Sequence, residues 1–151
     1  MNQLIMLLAT GCYVGMLPKA PGTWGSLAAL LPWFFFKDLS LPLYLTVLTI
    51  VFVIGFFVSG SAEKILDSPD SGAIVIDEFL GMFITLTLAP PHPAAWFLGF
   101  VLFRAFDILK PFPVSWIDSK IHGGMGIMMD DMVAGLYALV SLQLLWLIIG
   151  N

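Results

Sequence analysis

Long apolar runs recur from one end of the chain to the other, and they constrain the fold more than any other feature. Hydrophobic residues make up 60% of the 151 residues and charged residues only 11%, with a mean hydropathy of +1.00. A soluble domain carries about 25% charged residues, because polar groups must cover its surface. The composition therefore predicts an integral membrane protein.

The spacing of these runs predicts an all-α fold, a polytopic membrane helical bundle. A helix needs about 20 apolar residues to cross the hydrocarbon core, and fewer where the bilayer thins or flanking side chains reach the interface. We expect four to five transmembrane helices, in a single domain over residues 1–151, because no repeat or linker divides the chain. The candidate spans are Trp24–Phe36, Leu41–Gly60, Ile74–Ala89, Ala94–Leu109 and Met132–Ile149.

Residues 1–17 form a further apolar stretch that is soon followed by the turn-forming sequence PKAPG. The stretch is short for a crossing, so it is expected to be an interfacial or re-entrant helix. It has no basic residues before its apolar part and no clear small-residue cleavage site. A removable signal peptide is therefore not expected.

The lengths of the polar connections predict the orientation in the membrane. With five crossings, the three long connections fall on one face, where Arg104 also ends its helix, while the opposite face holds only Lys37. The basic residues of the long connections are Lys19, Lys64, Lys110 and Lys120. An excess of Lys and Arg marks the cytoplasmic face. The long connections are therefore expected in the cytoplasm.

The charge balance and the cysteine content exclude two classes of function. The net charge of −4 argues against a nucleic-acid partner, since such proteins present a basic surface. Cys12 is the single cysteine, so the chain has no intramolecular disulfide, and no redox chemistry is indicated. The oligomeric state is not indicated by the sequence.

Two pairs of adjacent acids stand at the cytoplasmic starts of predicted spans. Asp77 and Glu78 begin the third span, and Asp130 and Asp131 precede the fifth. A charged group placed in the bilayer costs roughly 2.5–3.5 kcal/mol on insertion scales, so a compensating cation is expected. Carboxylates at a helix N-terminus gain about 0.3–1 kcal/mol from the macrodipole, which is the alternative explanation. Together the four oxygen-rich side chains predict a Mg²⁺ site.

The sequence FRAFDILKPFP ends the fourth span with regularly spaced charges. Arg104, Asp107 and Lys110 follow one another at intervals of three residues, which places them along one flank of a helix. One interpretation is a salt-bridge ladder with snorkelling cations. In the other, Asp107 joins the metal ligands while Arg104 and Lys110 bind a phosphate.

A glycine-rich segment leads into the last span. Gly123, Gly124 and Gly126 allow close approach of the main chain to a ligand, and a helix N-terminus suits an anion. Alternatively, a glycine-rich segment of this kind is a turn that binds no ligand. His122 is either a general acid or base near neutral pH or a hydrogen-bonding loop residue.

Four other polar residues have two interpretations each. Thr23 or Ser26 is a helix cap, or the Thr23 hydroxyl faces the polar pocket and binds a substrate oxygen. Asp118 is a cap or turn residue, or a further member of the site. Lys120 is solvated or meets lipid headgroups.

Four motifs together are similar to the bacterial phosphatidylglycerophosphatase A family. They are PGTWGSL, DEFLGM, FRAFDILKPFP and DSKIHGGMGIMMDDMVAG, in this order, within about residues 15–135. The resemblance implies a multi-pass phosphatase of the bacterial inner membrane. Its implied reaction is Mg²⁺-dependent hydrolysis of the terminal phosphomonoester of phosphatidylglycerophosphate to phosphatidylglycerol and phosphate. By the resemblance, the active site includes Thr23, Asp77, Glu78, Arg104, Asp107, Lys110, Asp118, His122, Asp130 and Asp131.

Combined with the resemblance, the residue chemistry assigns a role to each group. The expected metal ligands are Asp77, Glu78, Asp130 and Asp131, and the expected substrate-binding groups are Thr23, Arg104, Lys110, Gly123 and Gly124. His122 or Asp107 moves protons. We favour attack by a metal-activated water, and an aspartyl-phosphate intermediate is the alternative.

Two other functions fit intramembrane carboxylates less well. A small cation transporter requires polar residues through to the far face, where only isolated Thr, Ser and Gln occur. The second is another lipid headgroup enzyme, one that transfers a phospho-alcohol from a nucleotide-activated lipid. Enzymes of that class carry a DG-x2-AR pattern, and this sequence does not have it.

Overall fold

The fold is built from helices joined by turns. A computed structural model describes residues 2–149, and this part of the chain contains no strand, which confirms the all-α prediction. The single domain expected from the sequence covers residues 1–151, and Met1, Gly150 and Asn151 lie outside the described residues. A short 3-10 turn occupies Val14–Met16. The α-helices are α1 Asn2–Ala9, α2 Pro21–Phe36, α3 Leu41–Leu66, α4 Ile76–Thr85, α5 Pro93–Leu109, α6 Val114–Lys120 and α7 Gly123–Ile149.

Two of these helices, α3 and α7, are long and apolar enough to cross a membrane. Their most apolar 18-residue windows have mean hydropathies of 2.5 and 2.2. By comparison, α2 and α5, with 16 and 17 residues, extend only about 24 and 26 Å along their axes at 1.5 Å per residue. The core of a bilayer is about 30 Å thick.

The central element of the bundle is α4, which packs against α7, α2, α3 and α5. Every residue from Leu80 to Thr85 is buried. The contact between α4 and α7 is close because Gly135 of α7 lies directly on the backbone of Gly81 in α4. A Cβ atom added to Gly135 would lie 2.6 Å from the carbonyl oxygen of Gly81. Small residues at such a contact let two helix backbones approach closely.

Chain order gives the bundle two chemically different ends. At one end, which we call the acidic end, α2, α4 and α7 begin and α3 and α5 finish. At the other end the Tyr44 hydroxyl donates to the Phe83 carbonyl at 2.6 Å, and Gln143 donates to the Thr87 carbonyl at 3.3 Å. This second end also holds the ion pair of Lys37 and Asp38. The other charged residues belong to segments of the acidic end.

Three predicted boundaries were wrong. The third span was expected to run to Ala89, but α4 ends at Thr85. Leu86 and Thr87 are still buried beyond it, whereas Leu88 is 71% exposed and has a positive φ of 54°, which is not helical. The fifth span was expected to start at Met132, but α7 already begins at Gly123. The second span continues beyond Gly60 to Leu66.

Two short helices flank these elements. Helix α1 covers part of the predicted N-terminal interfacial stretch, with Met6 and Ala9 buried against α3 and the Ile74 side chain. Helix α6 was not predicted at all, because its sequence was interpreted as part of a polar connection. It begins directly after Pro113 and buries Val114 and Ile117.

The Gly135→Ala protein is expected to be less stable by about 1–3 kcal/mol, since the new methyl group must push apart two backbones that cannot yield like a flexible side chain. Thermal unfolding in detergent measures the effect. The matched control is Gly72→Ala, where the nearest atom to a new Cβ is the Pro21 Cγ at 3.8 Å. An unchanged melting temperature for Gly135→Ala would contradict the close α4–α7 contact.

Candidate active site

Three carboxylates converge at the acidic end of the α4–α7 contact. Asp77 and Glu78 are the second and third residues of α4, and Asp131 lies nine residues into α7. One carboxylate oxygen from each lies within 4.8 Å of the others. Asp131 is only 3% exposed. The predicted convergence of acids from separate segments is therefore found for these three residues, which we call the carboxylate triad.

Within the described residues, three oxygens of the triad accept no hydrogen bond from the protein. Asp77 Oδ1, Glu78 Oε2 and Asp131 Oδ2 are buried and have no hydrogen-bond partner in the described part of the chain. Buried carboxylates close to one another repel, and each requires a compensating partner. Several carboxylate oxygens with free lone pairs form the ligand set that Mg²⁺ and Ca²⁺ prefer. The triad therefore fits a hard divalent cation.

Arg104 lies beside the triad and is held from three sides. Its Nη1 is 2.8 Å from Asp107 Oδ2 and 3.8 Å from Glu78 Oε1. The same nitrogen donates to the Ser26 hydroxyl at 3.3 Å. The Arg104 Nε is buried and has no partner among the described residues. The guanidinium thus balances part of the negative charge and keeps donor capacity for an anion.

The start of α2 contributes to the site in a way that the sequence did not indicate. Ser26 was interpreted as a possible cap, but the N-cap is Ala20, and the buried Ser26 hydroxyl donates to the Gly22 carbonyl at 2.7 Å. At Gly22 itself, an added Cβ would collide with Glu78 Oε1 and crowd the Arg104 guanidinium. The partly buried Thr23 follows directly and does not cap the helix. The one signal in the sequence was the spacing of Gly22 and Ser26, one helical turn apart in PGTWGS.

Lys110 forms a second charged group next to the triad. It follows the end of α5 with a positive φ of 42°, so it leaves the flank of the helix on which Asp107 lies. Its Nζ donates to Asp118 and, at 3.0 Å, to Asp130 Oδ2. Burial lowers the pKa of the Lys110 ammonium, but the hydrogen bonds and the charges of Asp118 and Asp130 outweigh this effect. The resulting pKa is above the usual range of lysine, so Lys110 is a permanent cation.

Asp130 lies outside the triad, although the sequence predicted it as a metal ligand. Its carboxylate accepts from Lys110, and its Oδ1 accepts from the backbone nitrogen of Asp131 at 2.9 Å. Adjacent residues on a helix point about 100° apart. Only one acid of the pair can therefore face α4. Asp118, by contrast, is a member of the charged group and not only a turn residue.

His122 and the glycines lie at the outer edge of the site. The exposed His122 lines a cavity of about 100 Å³ together with Gly123, Asp118 and Asp130. Gly124 is buried, and an added Cβ would collide with the Phe56 carbonyl of α3. The close backbone approach that Gly124 allows is therefore to the neighbouring helix α3. Lys120 is exposed at the end of α6.

Together these groups define a class of site. Buried carboxylates with unsatisfied oxygens lie between an arginine and a lysine, at one end of a helical bundle. Carboxylates of this kind hold divalent cations, and fixed basic groups bind phosphate oxygens. The arrangement is that of a site for phosphate chemistry.

Comparisons with known proteins identify the family. The sequence model described as Phosphatidylglycerophosphatase A matches residues 7–146. A protein of Escherichia coli named Phosphatidylglycerophosphatase A is 45% identical over 130 residues, which cover 85% of this chain and 76% of the relative. One of the same name from Haemophilus influenzae is 41% identical over 138 residues, or 90% and 85% of the two chains. The chain belongs to the phosphatidylglycerophosphatase A family, and it is accordingly a phosphatase. No solved structure matches it.

Metal binding is expected to reverse the stability ranking of the wild-type and Asp131→Asn proteins. With EDTA, Asp131→Asn is expected to melt at a higher temperature, since one repelling charge is gone. With Mg²⁺ at about 100 times its dissociation constant, the wild-type protein gains about 2.7 kcal/mol, and the variant much less. Asp38→Asn, at the opposite end, is the control and should respond like the wild type. Equal Mg²⁺ shifts in the wild-type and Asp131→Asn proteins would exclude the triad as the metal site.

Proposed function

We propose that the protein hydrolyses the terminal phosphomonoester of phosphatidylglycerophosphate in a Mg²⁺-dependent reaction. The products are phosphatidylglycerol and inorganic phosphate, a step of bacterial phospholipid biosynthesis. Membership of the family supports the reaction. The observation that carries the metal dependence is the triad, whose buried oxygens have no protein partner.

The proposed metal ligands are Asp77, Glu78 and Asp131. A bound Mg²⁺ supplies polarisation of phosphoryl oxygens and lowers the pKa of a coordinated water. In the described part of the chain, six acidic side chains lie in and around the site, against two basic ones, Arg104 and Lys110. A phosphomonoester dianion would be repelled by this excess of negative charge. The site therefore needs a further cation for a phosphate to bind at all.

The basic residues are proposed to bind and orient the phosphate. The Arg104 fork suits two phosphoryl oxygens at once, and Asp107 and Ser26 fix its direction. Lys110 acts as a point charge that Asp118 and Asp130 hold in place. The hydroxyl of Thr23, half-buried next to Gly22, is proposed to donate to a substrate oxygen. Transition-state stabilisation in phosphoryl transfer is mostly positioning and charge of this kind.

The proposed chemical step is a direct attack of water on phosphorus. The water oxygen forms the new P–O bond, the bond to the glycerol oxygen breaks, and that oxygen receives a proton. The attacking water gives up one proton in exchange, which restores the proton donor. We assign the proton to His122, which lines the open cavity beside Asp130, because Asp107 is engaged with Arg104 at 2.8 Å. Imidazole exchanges protons near neutral pH.

We propose a multi-pass arrangement in the inner membrane, with the acidic end in the cytoplasm. The chain passes from one end of the bundle to the other in α2, α3, α4 with its following turn, α5 and α7, and these passages support a proposal of five crossings. Lys19, Lys64, Lys110 and Lys120 lie in segments at the acidic end, and Lys37 lies at the other. The excess of basic residues supports a cytoplasmic position for the acidic end. A phosphate group at the membrane surface would meet the site there.

The transporter alternative is less well supported by the structure. A cation path would have to continue from the triad along the inside of the bundle. The buried residues in that direction include Met82, Leu86, Ala138 and Leu142, and the hydroxyls of the buried Thr85 and Thr87 already donate to the carbonyls of Gly81 and Phe83. A site confined to one end suits an enzyme.

Purified protein in detergent should release phosphate from phosphatidylglycerophosphate with Mg²⁺ and stop when EDTA is added. Asp131→Asn and Asp77→Asn are each expected to lower kcat by at least about 100-fold, since each removes a ligand of the cation that stabilises the transition state. Asp38→Asn is the matched control and should keep wild-type turnover. Wild-type rates in both triad variants would disprove the proposed metal site.

Ser26→Ala is expected to lower kcat about 3–10-fold, because a hydrogen bond to a charged group contributes roughly 1.5–3 kcal/mol and only part of this orients Arg104. The loss should be smaller in an Arg104→Lys background, since Ser26 acts through Arg104. Ser59→Ala is the control, as this equally buried hydroxyl contacts only the Met128 sulfur, at 4.0 Å, among the described groups. Full and independent losses in both backgrounds would contradict the positioning role.

A further inference from the structure

We propose that a groove between α3, α4 and α7 binds one acyl chain of the lipid phosphomonoester substrate. The inference rests on the proposed function and adds the part of the site that recognises lipid. Nothing in the charged site itself would distinguish a lipid phosphate from a water-soluble one. The groove supplies that distinction.

The groove is a cavity of about 510 Å³ with an apolar lining. Ligand cavities in proteins have volumes of about 300–1,000 Å³. Its main walls are Leu48 and Phe52 of α3, Leu80 and Ile84 of α4, and Met132 and Leu136 of α7. The cavity therefore lies between the central helix and the two helices that are long and apolar enough to cross a membrane.

The hydroxyl groups in the lining do not make the groove polar. Thr49 donates to the Leu45 carbonyl at 2.9 Å, and Thr87 donates to the Phe83 carbonyl at 3.2 Å. Each hydroxyl is thus satisfied by its own helical turn. What remains towards the cavity is hydrocarbon, so neither an ion nor a polar headgroup would gain a partner there.

The groove continues directly from the carboxylate triad along α4. Leu80 follows Asp77 by one turn of α4, and Ile84 follows Leu80 by another, so these three residues lie on one face. Met132 of α7 adjoins Asp131 in the chain but points about 100° away from it, so the continuity rests on α4. Leu80 lies only about 4.5 Å further along the helix axis than Asp77. A molecule whose phosphate lies at the triad can therefore place its adjoining hydrocarbon in the groove.

The length of the groove matches one acyl chain. A second cavity of about 370 Å³ shares Thr87 and Leu139 with the first and reaches Leu144. From Met132 to Leu144 the groove follows α7 for about 18 Å. One leaflet of the hydrocarbon core is about 15 Å deep, half of the full thickness. An extended acyl chain anchored at the interface has this reach, whereas a compact ligand would use only part of the groove.

The groove opens towards the side of the bundle that faces lipid. Leu45 and Leu136, at its rim, are 47% and 45% exposed. Both belong to the helices that are apolar enough to span a membrane. A chain can therefore enter sideways from the bilayer while its headgroup stays at the acidic end.

The test compares substrates with long and short chains in a protein whose groove is filled. Leu136→Trp is expected to raise KM for dioleoyl phosphatidylglycerophosphate in mixed micelles about 5–10-fold, since several buried methylenes lose their contacts. Its kcat/KM for the dihexanoyl analogue should stay within about two-fold of the wild type, because a short chain gains little from the groove. Leu48→Trp fills the groove from the opposite wall and should give the same pattern. Leu31→Trp is the control, since Leu31 of α2 is 71% exposed and lies outside the groove.

The outcomes separate the groove from the reaction. Equal changes for both substrates, or no change for the dioleoyl lipid, would overturn the acyl-chain assignment, and the second result would also mean that bulk lipid alone covers the groove. If thermal unfolding shows that the Trp variants do not fold, Leu136→Ala replaces them. It cannot overfill the groove and should reduce the preference for long over short chains about 2–3-fold. If the wild-type protein releases phosphate from neither substrate, it is the proposed function that fails.

Discussion

The burial of three carboxylates against one another is the constraint on which the rest of the structure depends. Asp77, Glu78 and Asp131 are brought together because α4 and α7 approach closely at Gly81 and Gly135. Their repulsion opposes folding, and their unsatisfied oxygens fit a divalent cation. The tight apolar contact below them is what holds the acids in place. A fold designed for stability alone would not keep this arrangement, so a chemical role is the physical explanation for it.

The two basic residues are each fixed by separate acidic partners. Arg104 lies between Asp107 and Glu78, whereas Lys110 lies between Asp118 and Asp130. Each cation is therefore positioned before a ligand arrives, which reduces the reorganisation needed in the reaction. This division of roles also explains why acids outnumber bases in the site. Some of the acids orient a cation, and among the described residues the buried carboxylate oxygens without a partner belong to the triad.

A polar site at one end and an apolar groove beside it suit a substrate of mixed character. The charged groups lie at the acidic end, while the walls that continue along α3, α4 and α7 are hydrocarbon. The site and the groove meet within one turn of α4. A lipid phosphate likewise has a charged group at one end and hydrocarbon along the rest of its length. The bundle therefore offers a charged site and an apolar wall in the order that the proposed lipid substrate would need.

The sequence alone determined the all-α fold and the two acid pairs, because these follow from hydrophobic runs and from adjacent positions in the chain. The pairing of Arg104 with Asp107 was one of two interpretations that the spacing allowed, and the structure shows it. The four sequence motifs were also enough to indicate the family, which the comparisons confirmed. The sequence did not reveal that Asp130 binds Lys110, that Ser26 holds Arg104, or that Gly124 packs on α3. These facts depend on which side of a helix meets its neighbour and on where α7 begins. Local patterns carry no such information, and only the packing of α2, α4, α5 and α7 against one another decided it.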